Sequence, residues 1–361
     1  MYCCMNKVLQ SVVLGIAALL LPVVATAQDE PDSLLRIRSN GKTRIEIRNG
    51  KQVAVYTGGV QFDYMDYGLI ADELRYSQLD SYVEAMGHVT LSQSGSHIET
   101  DRIEVYLDKN LLVSPGEIRG QLARQGIGFL AASATVQLSG NLEQGQDSYI
   151  ISLQDQVFVS SSSGYSFSTS LVSMDTGTRL ISVPQQFTMR LPSNGAAREA
   201  SSPFDMGEML MTGASMTGTL SEDMQLESLH ALAPELRGEQ LQFSAGSVHA
   251  GFMDNGHDGI MIDLLATGSP VRGLFRQPHE DLLFSADNIS GTIDPGYGSQ
   301  FLLSGGISLS AELALLVSDK LSIVQDMQGL RIVFPEGLEA GMALDELSGN
   351  PDIDLSAILH K

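Results

Sequence analysis

The side chains that could carry chemistry are scattered through this chain of 361 residues. His249 and His257 flank a turn signal at 254–256, and a metal site there would need a third ligand at matched geometry. Acidic neighbours such as Glu280 and Asp281 are adjacent in sequence, so in a strand they point to opposite faces. The chain contains no nucleophile elbow, phosphate-binding loop or zinc-protease motif. The sequence therefore predicts no catalytic residue, no metal site and no cofactor.

A spaced pattern that recurs along the chain is more informative than any single side chain. It reads Gly, any residue, a β-branched or aromatic residue, eleven more, then Asp, any residue, and Leu or Ile. The copies are Gly58/Val60/Asp72/Leu74, Gly87/Val89/Asp101/Ile103, Gly273/Phe275/Asp287/Ile289 and Gly305/Ile307/Asp319/Leu321. Such a period is typical of stacked supersecondary units. We expect a bend or bulge at the glycine, and we expect the aspartate at the entry of a strand, where it binds turn amides.

The segments around these residues alternate between apolar and polar side chains. Val60 and Phe62 alternate with Gln61 and Asp63, and the same period of two continues through later segments. Asn-Gly pairs at 40–41 and 49–50 are hairpin turn signals. The pattern predicts an all-β fold of repeated antiparallel strands, each with one apolar face. Short helices are expected only at 339–347 and 354–360.

The N-terminus has the pattern of an export signal. Lys7 precedes an apolar run at 12–24, and Ala25-Thr26-Ala27 is a cleavage site of the A-x-A type. The alternative is an uncleaved membrane anchor, for which the run is short. Both cysteines lie ahead of the apolar run, so the mature chain has no disulfide. The predicted organisation is a signal peptide at 1–27, a first unit at 28–190, a linker at 191–204, a second unit at 205–334 and a tail at 335–361.

The charge of the chain is strongly negative and uneven. The net charge is −22, and residues 201–361 hold 23 acidic and 6 basic side chains. Binding to nucleic acid is not expected, because phosphates require clustered Lys and Arg. Six basic residues near the mature N-terminus alternate with apolar ones, and either form a solvated face or dock an acidic partner or anionic headgroups. They are Arg36, Arg38, Lys42, Arg44, Arg48 and Lys51.

Several of these segments resemble a known family, the OstA/LptA-like and LptC-like periplasmic proteins of lipopolysaccharide transport. The OstA-like segments are 56–60 with 70–76, 85–89 with 100–103, and 319–321. The LptC-like segments are 157–159, 164–167, Thr169, 174–175 and 182–184, followed after the linker by 209–216. Together they cover about half of the chain. The resemblance implies a folded-over β-jellyroll, or β-taco, built as one unit or as two fused units.

The resemblance also implies a function and a site. Family members shelter the acyl chains of lipopolysaccharide in an apolar groove and bridge the two membranes through edge strands. The expected partners are lipopolysaccharide, other transport proteins and a second copy of the chain, all in the periplasm. The expected lipid-binding residues are Val60, Phe62, Leu74, Tyr76, Val89, Leu91, Ile103, Val105, Phe275, Ile289, Ile307 and Leu321. For the same residues a closed, dry core is the alternative, and for the function the alternative is a β-solenoid enzyme acting on polysaccharide or a structural adhesin.

Overall fold

A computed structural model gives an all-β chain with antiparallel strands. It describes residues 36–64, 67–77, 79–93, 96–122, 127–138, 148–161, 166–191, 209–221, 226–238, 241–254, 260–276, 281–294, 298–311, 314–326, 329–333 and 339–342. These residues form a 26-stranded sheet with one short 3-10 turn at Leu107–Lys109. None of their helical segments is long and apolar enough to cross a membrane. The predicted signal peptide lies outside the described residues.

The strands follow one another along the chain and pair mostly with their sequence neighbours. The first half comprises β1 Arg36–Ser39, β2 Thr43–Arg48, β3 Lys51–Tyr64, β4 Tyr67–Ser77, β5 Tyr82–Gln93, β6 Ser96–Tyr106, β7 Leu111–Ser114, β8 Ile118–Leu122, β9 Ile127–Ala131, β10 Ser133–Leu138, β11 Tyr149–Ser161, β12 Ser166–Asp175, β13 Leu180–Val183 and β14 Phe187–Leu191. The second half comprises β15 Met209–Gly213, β16 Ser215–Leu220, β17 Leu226–Leu232, β18 Glu235–Arg237, β19 Leu241–Ser244, β20 Ser247–Asp254, β21 Ile260–Arg276, β22 Asp281–Asp294, β23 Gly298–Ala311, β24 Ala314–Asp326, β25 Gly329–Val333 and β26 Glu339–Met342.

The chain crosses the sheet many times, and each crossing, here called a pass, bends near its middle. In the long strands the bend is a break in register, for example between Thr57 and Val60 of β3. Elsewhere the pass is divided into two short strands that pair with different halves of the same neighbour, as β7 and β8 do with β6. Prolines 115, 184, 234 and 270 lie at such bends, where a missing N–H costs no ladder hydrogen bond. The bends of successive passes form a continuous bend line.

The recurring glycine supplies the left-handed backbone that this bend line needs. Gly58, Gly87 and Gly305 have φ values of +82°, +72° and +74°, and each lies where the register shifts. The prediction of a bulge is therefore confirmed at these glycines. Gly273 is different, since it pairs regularly with Phe284 and its missing side chain leaves room for the Phe284 ring. The bend of that strand lies instead at 268–270.

The recurring aspartate lies at the middle of a strand, so its predicted place at a strand entry was wrong. Asp72, Asp101, Asp287 and Asp319 are exposed. Each is the single residue opposite the bulged part of a neighbouring strand, at 58–59, 87–88, 268–270 and 305–306 respectively. The side-chain alternation of the aspartate strand shifts at this register break, so two consecutive side chains point outward and buried side chains resume on both sides. The buried pairs are Ala71 and Leu74, Thr100 and Ile103, Ala286 and Ile289, and Ser318 and Leu321.

The apolar side of every pass forms one surface, here called the inner face. A single open sheet cannot exclude water from one of its faces, yet Val60, Ile98 and Ile118 are fully buried. The two halves of each pass therefore cover one another across the bend line, and the architecture is a jellyroll-like folded sheet. Thr100 and Ser114 on neighbouring passes share a buried hydrogen bond of 2.8 Å close to this line.

The core consists of two clusters of buried side chains, and both include residues of β20. One cluster of buried side chains extends from Val60 to Phe252, and a second extends from Val248 to Ile323. Strands on the two sides of the predicted linker pair directly, since β13 pairs with β16 and β14 with β15. The division into two units stays a prediction. The helix predicted at 339–347 is wrong at its start, because 339–342 pair with β24 as a strand. The helix predicted at 354–360 lies outside the described residues.

Candidate functional site

The inner face contains most of the residues predicted to bind lipid, and in this structure they are buried in a packed core. In the first cluster these are Val60, Leu74, Val89, Leu91, Ile103 and Val105, and in the second Ile289, Ile307 and Leu321. The side chains of Phe62 and Phe275 lie outside the described part of the chain. Sequence alternation thus identified the inward side of each strand, while the two layers leave no open groove between these particular side chains.

Tyr76 differs from the other predicted residues because it is 36% exposed. It is on the same face as Leu74. Tyr76 lies opposite Ala54 of β3, and Ala54 in turn lies opposite Ile45 of β2. Ile45 and Ile47 are 70% and 75% exposed. The inner face is therefore open at the first passes, where the three exposed side chains Ile45, Ile47 and Tyr76 form what we call the apolar mouth.

Sequence reasoning did not include Ile45 and Ile47 in the site, although a signal was present. Both alternate with charged residues in the first hairpin, as inward side chains do in the later strands. Within the described residues β2 pairs with β3 alone. A strand at the end of a sheet has no neighbour to cover its side chains, so its inward residues stay exposed.

The outer side of the same passes carries a network of ion pairs. Arg102 lies 2.6 Å from Glu84 and 2.8 Å from Glu104, and Arg75 lies 3.3 Å from Glu84. The hydroxyl of Tyr106 donates a hydrogen bond to Glu104, which raises the pKa of Tyr106 to about 12. These contacts link β4, β5 and β6 on the polar side. The sheet thus separates a charged outer face from an apolar interior.

The basic residues near the N-terminus are partly neutralised. Arg44 and Arg48 contact Glu46 from both sides at 2.6 and 2.8 Å. Their hydrogen bonds, first that of Arg44, lower the pKa of the Glu46 carboxyl. The two arginines point away from the isoleucines of the same strand, as the alternation predicted. β2 therefore has one apolar and one cationic side at the end of the sheet.

Within the part of the chain that the structure describes, the histidines do not combine with acidic residues into a metal centre. Among the described residues, no group of three or more His, Cys, Asp or Glu side chains is placed to hold a metal ion. His257 lies outside the described residues. His88 lies on the bend line, where its Nδ1 is 2.7 Å from Asp72 Oδ2, and the hydrogen bond with Asp72 raises the pKa of His88.

Comparisons with known proteins give similarity to solved structures alone. No protein-family model matches the chain, and no curated protein matches it. Among solved structures, the chain is similar to LptH of Pseudomonas aeruginosa, described as the LptA homologous periplasmic component of the conserved lipopolysaccharide transport device. The identity is 12%, the TM-score is 0.26, and the match covers 40% of this chain and 88% of LptH.

The geometry of the strands excludes one alternative from the sequence. In a parallel β-helix solenoid, successive coils pair in parallel. Within the described residues every recorded strand pairing is antiparallel, from β1 with β3 to β24 with β26. The β-solenoid interpretation is therefore wrong for this part of the chain.

Proposed function

We propose that the chain is a periplasmic lipopolysaccharide-binding transport protein that shelters acyl chains at its inner face and has no catalytic role. The observation that carries the proposal is the apolar mouth. Ile45, Ile47 and Tyr76 continue the inner face outward from the buried core. A soluble protein rarely leaves contiguous inward-facing apolar side chains uncovered without a partner for them.

The packed interior constrains how an acyl chain would enter. An acyl chain gains about 0.8 kcal/mol for each CH₂ that leaves water, but between the central passes it would have to displace existing contacts around Leu91. At the mouth no such contact is lost, because Ile45 and Ile47 are already exposed. Binding therefore begins at the mouth, and deeper binding requires the two layers to separate.

The same end of the sheet supports the proposed bridge between proteins. β2 has an unpaired backbone edge within the described residues, and such an edge pairs readily with a strand from another chain. The proposed partners are other lipopolysaccharide-transport proteins and a second copy of this chain. Arg44 and Arg48 on the outer side of β2 favour a partner strand with acidic side chains.

Site-specific photocrosslinking in cells tests the proposal. A photoreactive residue replaces Ile47, with Glu46 as the matched control on the opposite side of the same strand. A second pair uses Leu91 in the core and Thr90 on the outer face. We expect a lipopolysaccharide adduct at Ile47, a weaker one at Leu91, and none at Glu46 or Thr90.

The mass of the adducts separates the two parts of the proposal. A lipopolysaccharide adduct at Ile47 supports lipid entry, and a protein adduct there supports edge pairing. Folded protein that gives no adduct at Ile47 and none at Leu91 would overturn the transport function. Equal adducts at Ile47 and Glu46 would show surface labelling without a sided site.

A further inference from the structure

Two histidines face one another on the outer face of the second half of the sheet. His230 of β17 and His249 of β20 are direct partners in the antiparallel register. Their ring centroids are 6.4 Å apart and the ring planes are inclined by 48°. Both side chains are exposed, whereas the adjacent Leu229 and Val248 point into the core. The pair is therefore held by the sheet and open to solvent.

The surroundings of the pair favour a cation. On this face the next strands place Thr217 and Leu265 beside the two imidazoles, and neither neighbour is cationic. The region from 201 to 361 carries 23 acidic and 6 basic residues. The resulting negative potential raises the local concentration of cations.

We propose that His230 and His249 form a two-imidazole site for a divalent transition-metal ion. Imidazole nitrogen suits Cu²⁺, Ni²⁺ and Zn²⁺, whereas Mg²⁺ and Ca²⁺ require oxygen ligands. Directly opposed residues on an antiparallel pair have Cβ atoms about 4.5–5.5 Å apart. One metal ion can therefore be reached by both rings.

Metal binding requires a small change of side-chain conformation. Metal–nitrogen bonds of about 2.0–2.1 Å bring the rings closer than the 6.4 Å seen here. Both side chains are exposed, so the two rings can turn toward one another on the solvent side of the sheet. The described residues provide no third His, Cys, Asp or Glu ligand in position. Water, or a group from another molecule, completes the coordination.

Titration of the purified protein with Cu²⁺ tests this site, because Cu²⁺ is the tightest binder in the divalent series. Electron paramagnetic resonance counts the coordinated nitrogens at one equivalent. We expect two imidazole nitrogens in the unmodified protein. His230→Gln or His249→Gln is expected to weaken this binding by at least about tenfold, which corresponds to about 1.4 kcal/mol.

The control variant is His97→Gln. His97 lies on the outer face opposite Ser92 and Gln121, so it offers one imidazole without a partner. It is expected to leave the two-nitrogen signal unchanged, and circular dichroism verifies that all variants keep their strands. The proposal would be overturned if the unmodified protein gave a spectrum with one imidazole nitrogen. It would also be overturned if the spectrum stayed unchanged in both His230→Gln and His249→Gln. This result would not affect the lipid site, which lies on the inner face.

Discussion

Replacement of Gly87 by alanine tests the idea that the bend line determines the fold. The φ of Gly87 is +72°, and a left-handed backbone costs an L-residue about 1–2 kcal/mol. A Cβ at this position would lie 2.5 Å from Asp72 Oδ2 and 2.9 Å from Asp72 Cβ. The carboxylate would have to leave its 2.7 Å contact with His88. With about 1–3 kcal/mol for overpacking, we expect a loss of roughly 2–5 kcal/mol in the free energy of unfolding.

Equilibrium unfolding in urea measures this loss, and the chain offers both a control and a repeat of the geometry. Gly251→Ala is the control, because a Cβ there would meet its nearest atom at 4.0 Å without a positive φ, and a change within about 0.5 kcal/mol is expected. Gly305→Ala repeats the geometry, with φ +74° and Asp287 Oδ2 at 2.6 Å. If Gly87→Ala and Gly251→Ala unfold at the same urea concentration, the bend-line argument fails.

A second variant separates the free-energy cost of the left-handed backbone at position 87 from the cost of the steric overlap with Asp72. In an Asp72→Gly background the carboxylate and its Cβ are absent, so Gly87→Ala should cost only the backbone share of about 1–2 kcal/mol. A double-mutant cycle gives the difference as a coupling energy. A coupling energy near zero would show that Asp72 does not constrain the glycine.

Three further outcomes follow from the same structure. Leu91→Asp places a charge in the core and should cost more than about 3 kcal/mol or prevent folding, while Thr90→Asp on the outer face should cost less than about 1 kcal/mol; equal losses in urea unfolding would contradict the assignment of faces. Glu104→Gln should lower the pKa of Tyr106 from about 12 in an ultraviolet titration. A raised pKa means that protonated Tyr106 contributes to the stability of the fold. This contribution is complete below the ordinary pKa near 10 and is lost as the pH rises through about 12. The variant should therefore lose less stability than the unmodified protein across this interval. Ile47→Asp should reduce concentration-dependent association of the protein in light scattering without changing urea unfolding. Unchanged association would show that the apolar mouth is not part of the contact between copies.

The sequence predicted the side of each strand better than it predicted the position of the bends. Val89 and Leu91 were assigned inward from alternation, which the structure confirms. Asp72 was assigned to a strand entry because charged residues seldom share the face of a neighbouring leucine. The bulge changes the pleat at this residue, so that Asp72 and Leu74 point to opposite sides. Periodicity of two cannot show such a shift, because it assumes an unbroken pleat.

Prolines gave a signal for the bends that alternation lacked. Pro115, Pro184 and Pro234 each separate two short strands of one pass. The segments on the two sides of Pro115 pair with β6, and those on the two sides of Pro184 pair with β12. The pairing partner was therefore needed to recognise each of these as one pass. The sequence could not predict whether the inner face forms an open groove or a closed core, for a similar reason. The same alternation serves both, and only the contact between layers decides how exposed Leu91 and Tyr76 are.

The exposed apolar side chains Ile45, Ile47 and Tyr76 of the inner face lie at the first passes of the sheet. Central passes have hydrogen-bonded strands on both sides and a covered inner face, whereas within the described residues β2 pairs with β3 alone and carries exposed isoleucines and cationic side chains. The opposite half of the chain is strongly acidic, so attraction favours contact between unlike ends of two copies over contact between like ends. Such a head-to-tail contact forms a closed ring or an open filament, depending on the rotation between successive copies. Under the proposed function, an open filament would end at a different partner on each side, as a bridge between two membranes requires.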